Sequence, residues 1–229
     1  LASGDHADHS VDRQALGAAI AALSPDHQVV VALRFYRDLT IDDARALLRA
    51  SSVLRAAPLT VGTSELSVGG RLREGMVVGS TAEFIEVRQF KMAQGQFLPR
   101  EDWGRGSPVM VIGAKLRAEL FPNETALGQF VRVGDRRFRV IGVLAATGSG
   151  LGMNTDELAL VPVAVAQAMF NTNTLFRILV EARNRDAIEP AKQQVTGIIQ
   201  TRHDGEQDVT VITQDAMLAT FDKLIGTLT

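Results

Sequence analysis

The sequence predicts an α+β fold, with a short helical N-terminal segment ahead of a larger body of mixed α/β structure. Three observations predict it. Composition shifts near residue 50: residues 1–50 hold eleven Ala, two Gly, no Lys and no Glu, and their charges are seven Asp against five Arg. The remainder holds 18 of the 20 Gly and most of the β-branched runs. Within that remainder, short capped helical stretches alternate with period-two segments joined at Gly-containing turns.

The elements follow in order. Asp12 can cap a helix running to about Ala22, and Ser24-Pro25 supplies an N-cap and first-turn pair for a second. That second helix would carry Val29, Val30, Leu33 and Phe35 or Tyr36 on one face. Thr40 caps a third, with Asp42 and Asp43 in its first turn and a stripe of Ile41, Ala44, Leu47 and Leu48. From about Ala57 to Val68 the chain reads as extended. Gly69-Gly70 turns it into a return strand from Arg71 to Gly79. Thr81 is placed to cap a short helix to about Val87. Val109 to Ile112 is a short buried strand, and Gly113 leads into a helix from Ala114 to Leu120.

Phe130 to Val133 and Phe138 to Leu144 form a second hairpin across Gly134-Asp135. Leu158 to Val161 reads as a strand, Val163 to Phe170 as a helix, and Phe176 to Ala182 as a strand. Asp186 is placed to cap a long helix to about Arg202. Val209 to Ile212 is a strand, and Thr213 or Asp215 opens a last helix. Residues 98–108 and the Gly-rich residues 145–157 are loops.

Composition narrows function. The 229 residues are 46% hydrophobic with a net charge of −2, which gives no overall basic field for nucleic acid or anionic lipid. Zero Cys excludes disulfides, thiolate metal sites and a Cys nucleophile. The longest uncharged stretch, Leu158 to Phe176, contains Pro162 and a run of Asn and Thr, so no membrane span is read in the sequence. The chain starts with Leu1 rather than Met and reads as a fragment.

No motif nominates chemistry. Gly148, Gly150 and Gly152 lack the third Gly of a dinucleotide fingerprint, and no P-loop occurs. Asp5, His6, Asp8 and His9 could bind a divalent metal weakly, but they sit at a chain terminus, where solvent exposure is the norm. His27 reads as a solvated first-turn residue, and His203 as a cation closing a long helix. Arg136, Arg137 and Arg139 suggest phosphate contact, but in a two-residue-turn hairpin Arg137 and Arg139 simply share one face, as on a solvated strand. Catalytic, cofactor-binding and metal-ligating residues are therefore all assigned as none, no cofactor is expected, and the chain is read as no enzyme.

Six blocks carry a resemblance. They are VLRAAPLTVGTSELSVGGR (53–71), VVGSTAEFIEVRQFKMAQGQFL (77–98), VMVIGAKLRAELFPNETALGQFVRVGDRRFRVIGVL (109–144), LALVPVAVAQAMF (158–170), ILVEARNRDAIEPAKQQV (178–195) and DAMLATFDKLIGTLT (215–229). In this order they resemble the extracytoplasmic core domain of MacB-type ABC transporter permeases, over about residues 39–229. The resemblance implies a two-lobed mixed α/β periplasmic core domain, part of a membrane protein, on the extracytoplasmic face of the plasma membrane. It implies a non-catalytic role that couples cytoplasmic ATP hydrolysis to export or to mechanical work across the envelope. The implied partners are an ABC ATPase subunit or domain, the transmembrane helices of the parent permease, a periplasmic adaptor protein and a second copy in a homodimer, with no nucleic acid.

Residues 16–44, LGAAIAALSPDHQVVVALRFYRDLTIDDA, are similar to the start of region 4 of an extracytoplasmic-function sigma factor. This makes residues 1–38 a separate helical unit, a truncated region 4, and gives a DNA-binding alternative for that segment. The recognition helix such a unit needs is missing, because the sequence passes into RASSVLRAAPLT.

Overall fold

The computed structural model describes residues 29–33, 39–147, 154–205 and 210–213. Their strands form one continuous ten-stranded sheet. The sheet divides into an open lobe and a closed barrel that share one strand.

That strand is β2 (Val53–Val68), 16 residues long. Its first half pairs antiparallel with β9 (Arg177–Ala182), which pairs with β1 (Val29–Leu33), and β1 in turn pairs with β10 (Thr210–Thr213). This four-stranded open sheet is covered by α1 (Ile41–Leu47) and α5 (Ile188–Arg202). Period two sorts its faces. Ile178, Val180 and Ala182 point toward the helices, where Ala44, Leu47, Ala191, Val195 and Ile199 complete a buried core. Leu179 points the other way, into a different cluster.

The second half of β2 turns at Gly69 and Gly70, both at positive φ, into β3 (Arg71–Ser80). From there a ring closes. β3 runs parallel to β8 (Ala159–Pro162), β8 antiparallel to β5 (Val109–Ile112), and β5 parallel to β7 (Arg136–Leu144). β7 pairs with β6 (Phe130–Val133), and β6 returns to β2 through Leu66↔Val133 and Ser67↔Arg132. The six strands enclose Leu66, Met110, Ile112, Phe138 and Val140, and α3 (Ala114–Leu120) adds Leu116 and Leu120. A strand β4 (Met92–Gly95) extends the sheet beyond β7.

A third cluster stitches the lobes together. Ala57, Leu59 and Leu179 of the open sheet meet Val78, Val111 and Leu160 of the barrel's outer face, under Phe84 and Val87 of α2 (Phe84–Arg88).

The structure corrects several expectations. Val29–Leu33 is a strand, not part of a helix begun at Ser24-Pro25. Its β-branched Val29-Val30-Val31 run suits the gap between β9 and β10. Thr81 makes no side-chain cap, and α2 begins after Glu83. Asn184, not Asp186, closes the turn before α5 by accepting from the Ala187 N–H at 2.9 Å. The expected helices at Asp12–Ala22 and after Thr213 lie outside the described residues.

Candidate functional site

Few of the residues examined in the sequence gather in space. His6, His9, His27 and Gly148, Gly150 and Gly152 lie outside the described residues. Among the described residues no cluster of His, Asp and Glu is placed to hold a metal. What the fold builds instead is a connection between its two lobes, assembled from three parts.

The first is a latch at the start of α1. Thr40 and Asp43 form a capping box: the Asp43 backbone donates to Thr40 Oγ1, while the Thr40 N–H and hydroxyl both donate to Asp43 Oδ2 at 2.9 Å. Asp43 Oδ1 accepts from Arg202 Nε at 2.6 Å, and His203 Nε2 lies 3.4 Å from Oδ2. A cation at the last turn of α5 thus meets a carboxylate at the first turn of α1, each at the favoured pole of its own helix. Burial pushes the Asp43 carboxyl up. The bonds from Arg202, Thr40 and His203 outweigh that, and hold it below its ordinary value. His203 suits the helix dipole, and the structure adds the carboxylate that faces it. Next to the latch, the buried Leu39 accepts a hydrogen bond from the Leu175 N–H at 2.7 Å.

The second part is β2 itself. It carries both cores on one backbone without a break, except for a register shift between Val53 and Arg55. The third is α4 (Val163–Met169), a wedge across the junction. Val163 belongs to the open lobe's core and Ala166 to the barrel's. The helix approaches the sheet closely because two strand residues lack side chains. A Cβ at Gly79 would stand 2.2 Å from Ala166 Cβ, and one at Gly62 would stand 2.4 Å from the Phe170 ring.

At the far end of β2 lies a surface feature. Arg132, Arg136, Arg137 and Arg139 are all exposed, as the hairpin pattern foresaw for Arg137 and Arg139. Phe130, which is half exposed, lies opposite Arg139 on the same hairpin, and the Arg137 guanidinium sits 4.6 Å from its ring centre. A shallow cleft of about 420 Å³ runs between this hairpin and the Gly69-Gly70 turn.

The comparisons now bear on this architecture. Residues 2–198 match the MacB-like periplasmic core domain. The chain belongs to that family. MacB-like periplasmic core domains are extracytoplasmic parts of ABC transporter permeases, and this chain is one of them. Its relatives include the macrolide export ATP-binding/permease protein MacB of Chlorobium luteolum, 30% identical over 72% of this chain and 25% of that protein. Another is the pyoverdine export ATP-binding/permease protein PvdT of Pseudomonas entomophila, 27% identical over 79% of this chain and 28% of that protein. The chain thus spans about a quarter of the length of these relatives.

Among solved structures, the periplasmic region of MacB from Actinobacillus actinomycetemcomitans aligns with a TM-score of 0.75 at 20% identity, covering 89% of this chain and 95% of that one. The extracellular domain of the ABC-type transporter YknZ from Gram-positive bacteria aligns at 0.70 and 18% identity, covering 80% of this chain and 99% of that one. Both share the fold. The likeness of residues 16–44 to a sigma factor finds no support. The family match runs through that stretch, and Val29–Leu33 pairs inside the sheet. Among the described residues no helix is long and apolar enough to cross a membrane.

Proposed function

We propose that this domain is a non-catalytic transmission element of an export permease. It passes conformational work, derived from ATP hydrolysis by a cytoplasmic ATPase subunit or domain, from the parent permease's transmembrane helices to partners beyond the membrane. Those partners are a periplasmic adaptor protein and a second copy of the domain. The strand β1 joins residues 29–33 to the domain's sheet, and α1 with its latch begins just past residue 38.

One observation carries the reading. The latch at Thr40, Asp43 and Arg202 fixes the start of α1 against the open lobe, and α1 packs on the start of β2. From there a single strand of 16 residues, about 50 Å if fully extended, runs into the wall of the barrel. A displacement applied at α1 is therefore delivered to the barrel through one continuous strand.

The test separates hydrolysis from transport. A Gly-Ser-Gly insertion immediately before Leu39, made in the parent permease, leaves α1 and its latch intact but slackens the link between β1 and α1. In proteoliposomes, ATP hydrolysis should persist while export falls at least tenfold. Export at the unmodified level would overturn the coupling role. The isolated chain should show no saturable ATP binding in calorimetry.

A further inference from the structure

We infer that the arginine-rich outer face of the β6–β7 hairpin is a docking surface for an acidic segment of a protein partner, one that sets carboxylates against the arginines and an apolar side chain against Phe130. The inference rests on the coupling role proposed above, and adds to it the place where the domain hands on its motion.

The first argument is unspent charge. Arg132 and Arg137 are directly opposite each other across β6 and β7, and Arg139 is opposite Phe130. Like charges facing each other across a strand pair destabilise a sheet, so fold stability alone would favour a carboxylate in one of these places. Glu65 and Glu74 also face each other, across β2 and β3, but other strand arginines find carboxylates. Arg55 pairs with Glu181, Arg71 with Glu124, and Arg73 with Glu119 and Glu157. Arg132, Arg137 and Arg139 make no ion pair with any described residue. Arg132 donates only to the Gly134 carbonyl, and Asp135, which also borders the cleft, pairs with none of them.

The second argument is the apolar component. Phe130 is 50% exposed, and Leu72, opposite Ser67 on β3, is 65% exposed. Arginines interspersed with an aromatic residue are the composition of protein-binding surfaces. The Phe130 ring also orders the Arg137 guanidinium in advance, which lowers the entropy lost when a carboxylate binds it bidentately.

The third argument is position, and it selects protein over lipid. The cleft borders Ser67, Val68, Gly69 and Gly70, at the end of β2 remote from α1. If α1 marks the membrane side, the patch stands up to about 50 Å away along the strand. Headgroups of that membrane lie far beyond the roughly 8 Å over which exposed charges act at physiological ionic strength.

The test uses the full 229-residue chain and a fluorescein-labelled decapeptide of glutamates interrupted by one phenylalanine and one leucine. Anisotropy should show saturable binding that weakens as salt rises. Arg137→Glu with Arg139→Glu should weaken it at least tenfold, and Arg137→Gln with Arg139→Gln by a smaller factor. Arg136→Glu is the control. Arg136 shares its strand register with the inward-facing Phe138 rather than with Arg137, so its reversal should change affinity less than threefold. Absence of binding up to about 1 mM peptide, or equal losses from Arg136→Glu and the double reversal, would overturn the proposal. So would arginine-dependent binding to phosphatidylglycerol vesicles without binding to the peptide. None of these outcomes alters the export result of the Gly-Ser-Gly insertion, so the patch can fail while the coupling role stands.

Discussion

The barrel surrounds its core with strands, whereas the open lobe covers one face of its sheet with two helices. The difference lies in where the pieces come from. Every strand of the barrel falls between Val53 and Pro162, a continuous part of the chain. The open lobe instead recruits β1 from before that part and β9 and β10 from after it. The barrel's six strands close on one another in a ring. The open lobe is where segments from both sides of that part join. The wedge α4 and the cluster around Leu179 and Leu160 decide whether the two behave as one unit.

The strongest way to break that comparison is to damage the barrel alone. Phe138 is fully buried in its centre. Phe138→Ala should cost about 3–5 kcal/mol. Trp103, the chain's one tryptophan, packs against the open lobe's core and reports on that lobe. In urea, the Trp103 fluorescence transition should shift together with the far-UV circular dichroism, because β2 belongs to both cores. A Trp103 transition left in place would show two independent bodies.

Next in size is the junction. Gly79→Ala forces a Cβ onto Ala166 and should cost about 1–3 kcal/mol by overpacking. Ala166→Gly in the same chain should recover part of it, despite the roughly 1 kcal/mol that Gly costs in a helix. A double-mutant cycle in urea measures the coupling, and strictly additive losses would mean that α4 does not press on the sheet there.

The smallest effect sharpens the open lobe's side. Asp43 has its carboxyl held down in the folded state, so its pairing stabilises the fold above the ordinary carboxylate range. That contribution disappears as pH falls through the lowered value. Asp43→Asn should cost about 1–3 kcal/mol at pH 7, and its deficit should shrink as pH falls below the ordinary carboxylate range. Thermal unfolding of both proteins across that range checks this. A deficit independent of pH would assign the loss to packing rather than charge.

Local signals made much of the barrel legible in advance. The Gly69-Gly70 and Gly134-Asp135 turns fixed both hairpins, and Gly113 opened α3 where the sequence indicated. What local signals could not carry is closure. The β6–β2 seam rests on two residue pairs far apart in the chain. Likewise β4 is a four-residue MAQG segment with no alternation, recognisable only through its partner β7. Val29–Leu33 failed for another reason. A short apolar run fits either period, and the Ser24-Pro25 signal upstream tipped the reading toward a helix. The latch was half visible. The Thr40 and Asp43 spacing announced a cap, but nothing local announced Arg202, 159 positions away. The arginines of the patch were visible as a group, but their lack of carboxylate partners exists only in three dimensions.

The sharing of β2 also governs which lengths of chain this domain can accept. Side chains alternate along the strand, so gaining or losing one residue inverts every position beyond it. In most proteins such a change scrambles one core. Here an indel between Ala56 and Val68 would throw the barrel's residues out of phase with those of the open sheet, so relatives should differ in length almost anywhere else. The tolerant place within β2 is its first three residues, where the register with β9 already slips between Val53 and Arg55 and Leu54 stands 40% exposed. Related sequences that add or drop a residue in this strand should do so there, leaving the spacing from Ala56 to the Gly69-Gly70 turn constant.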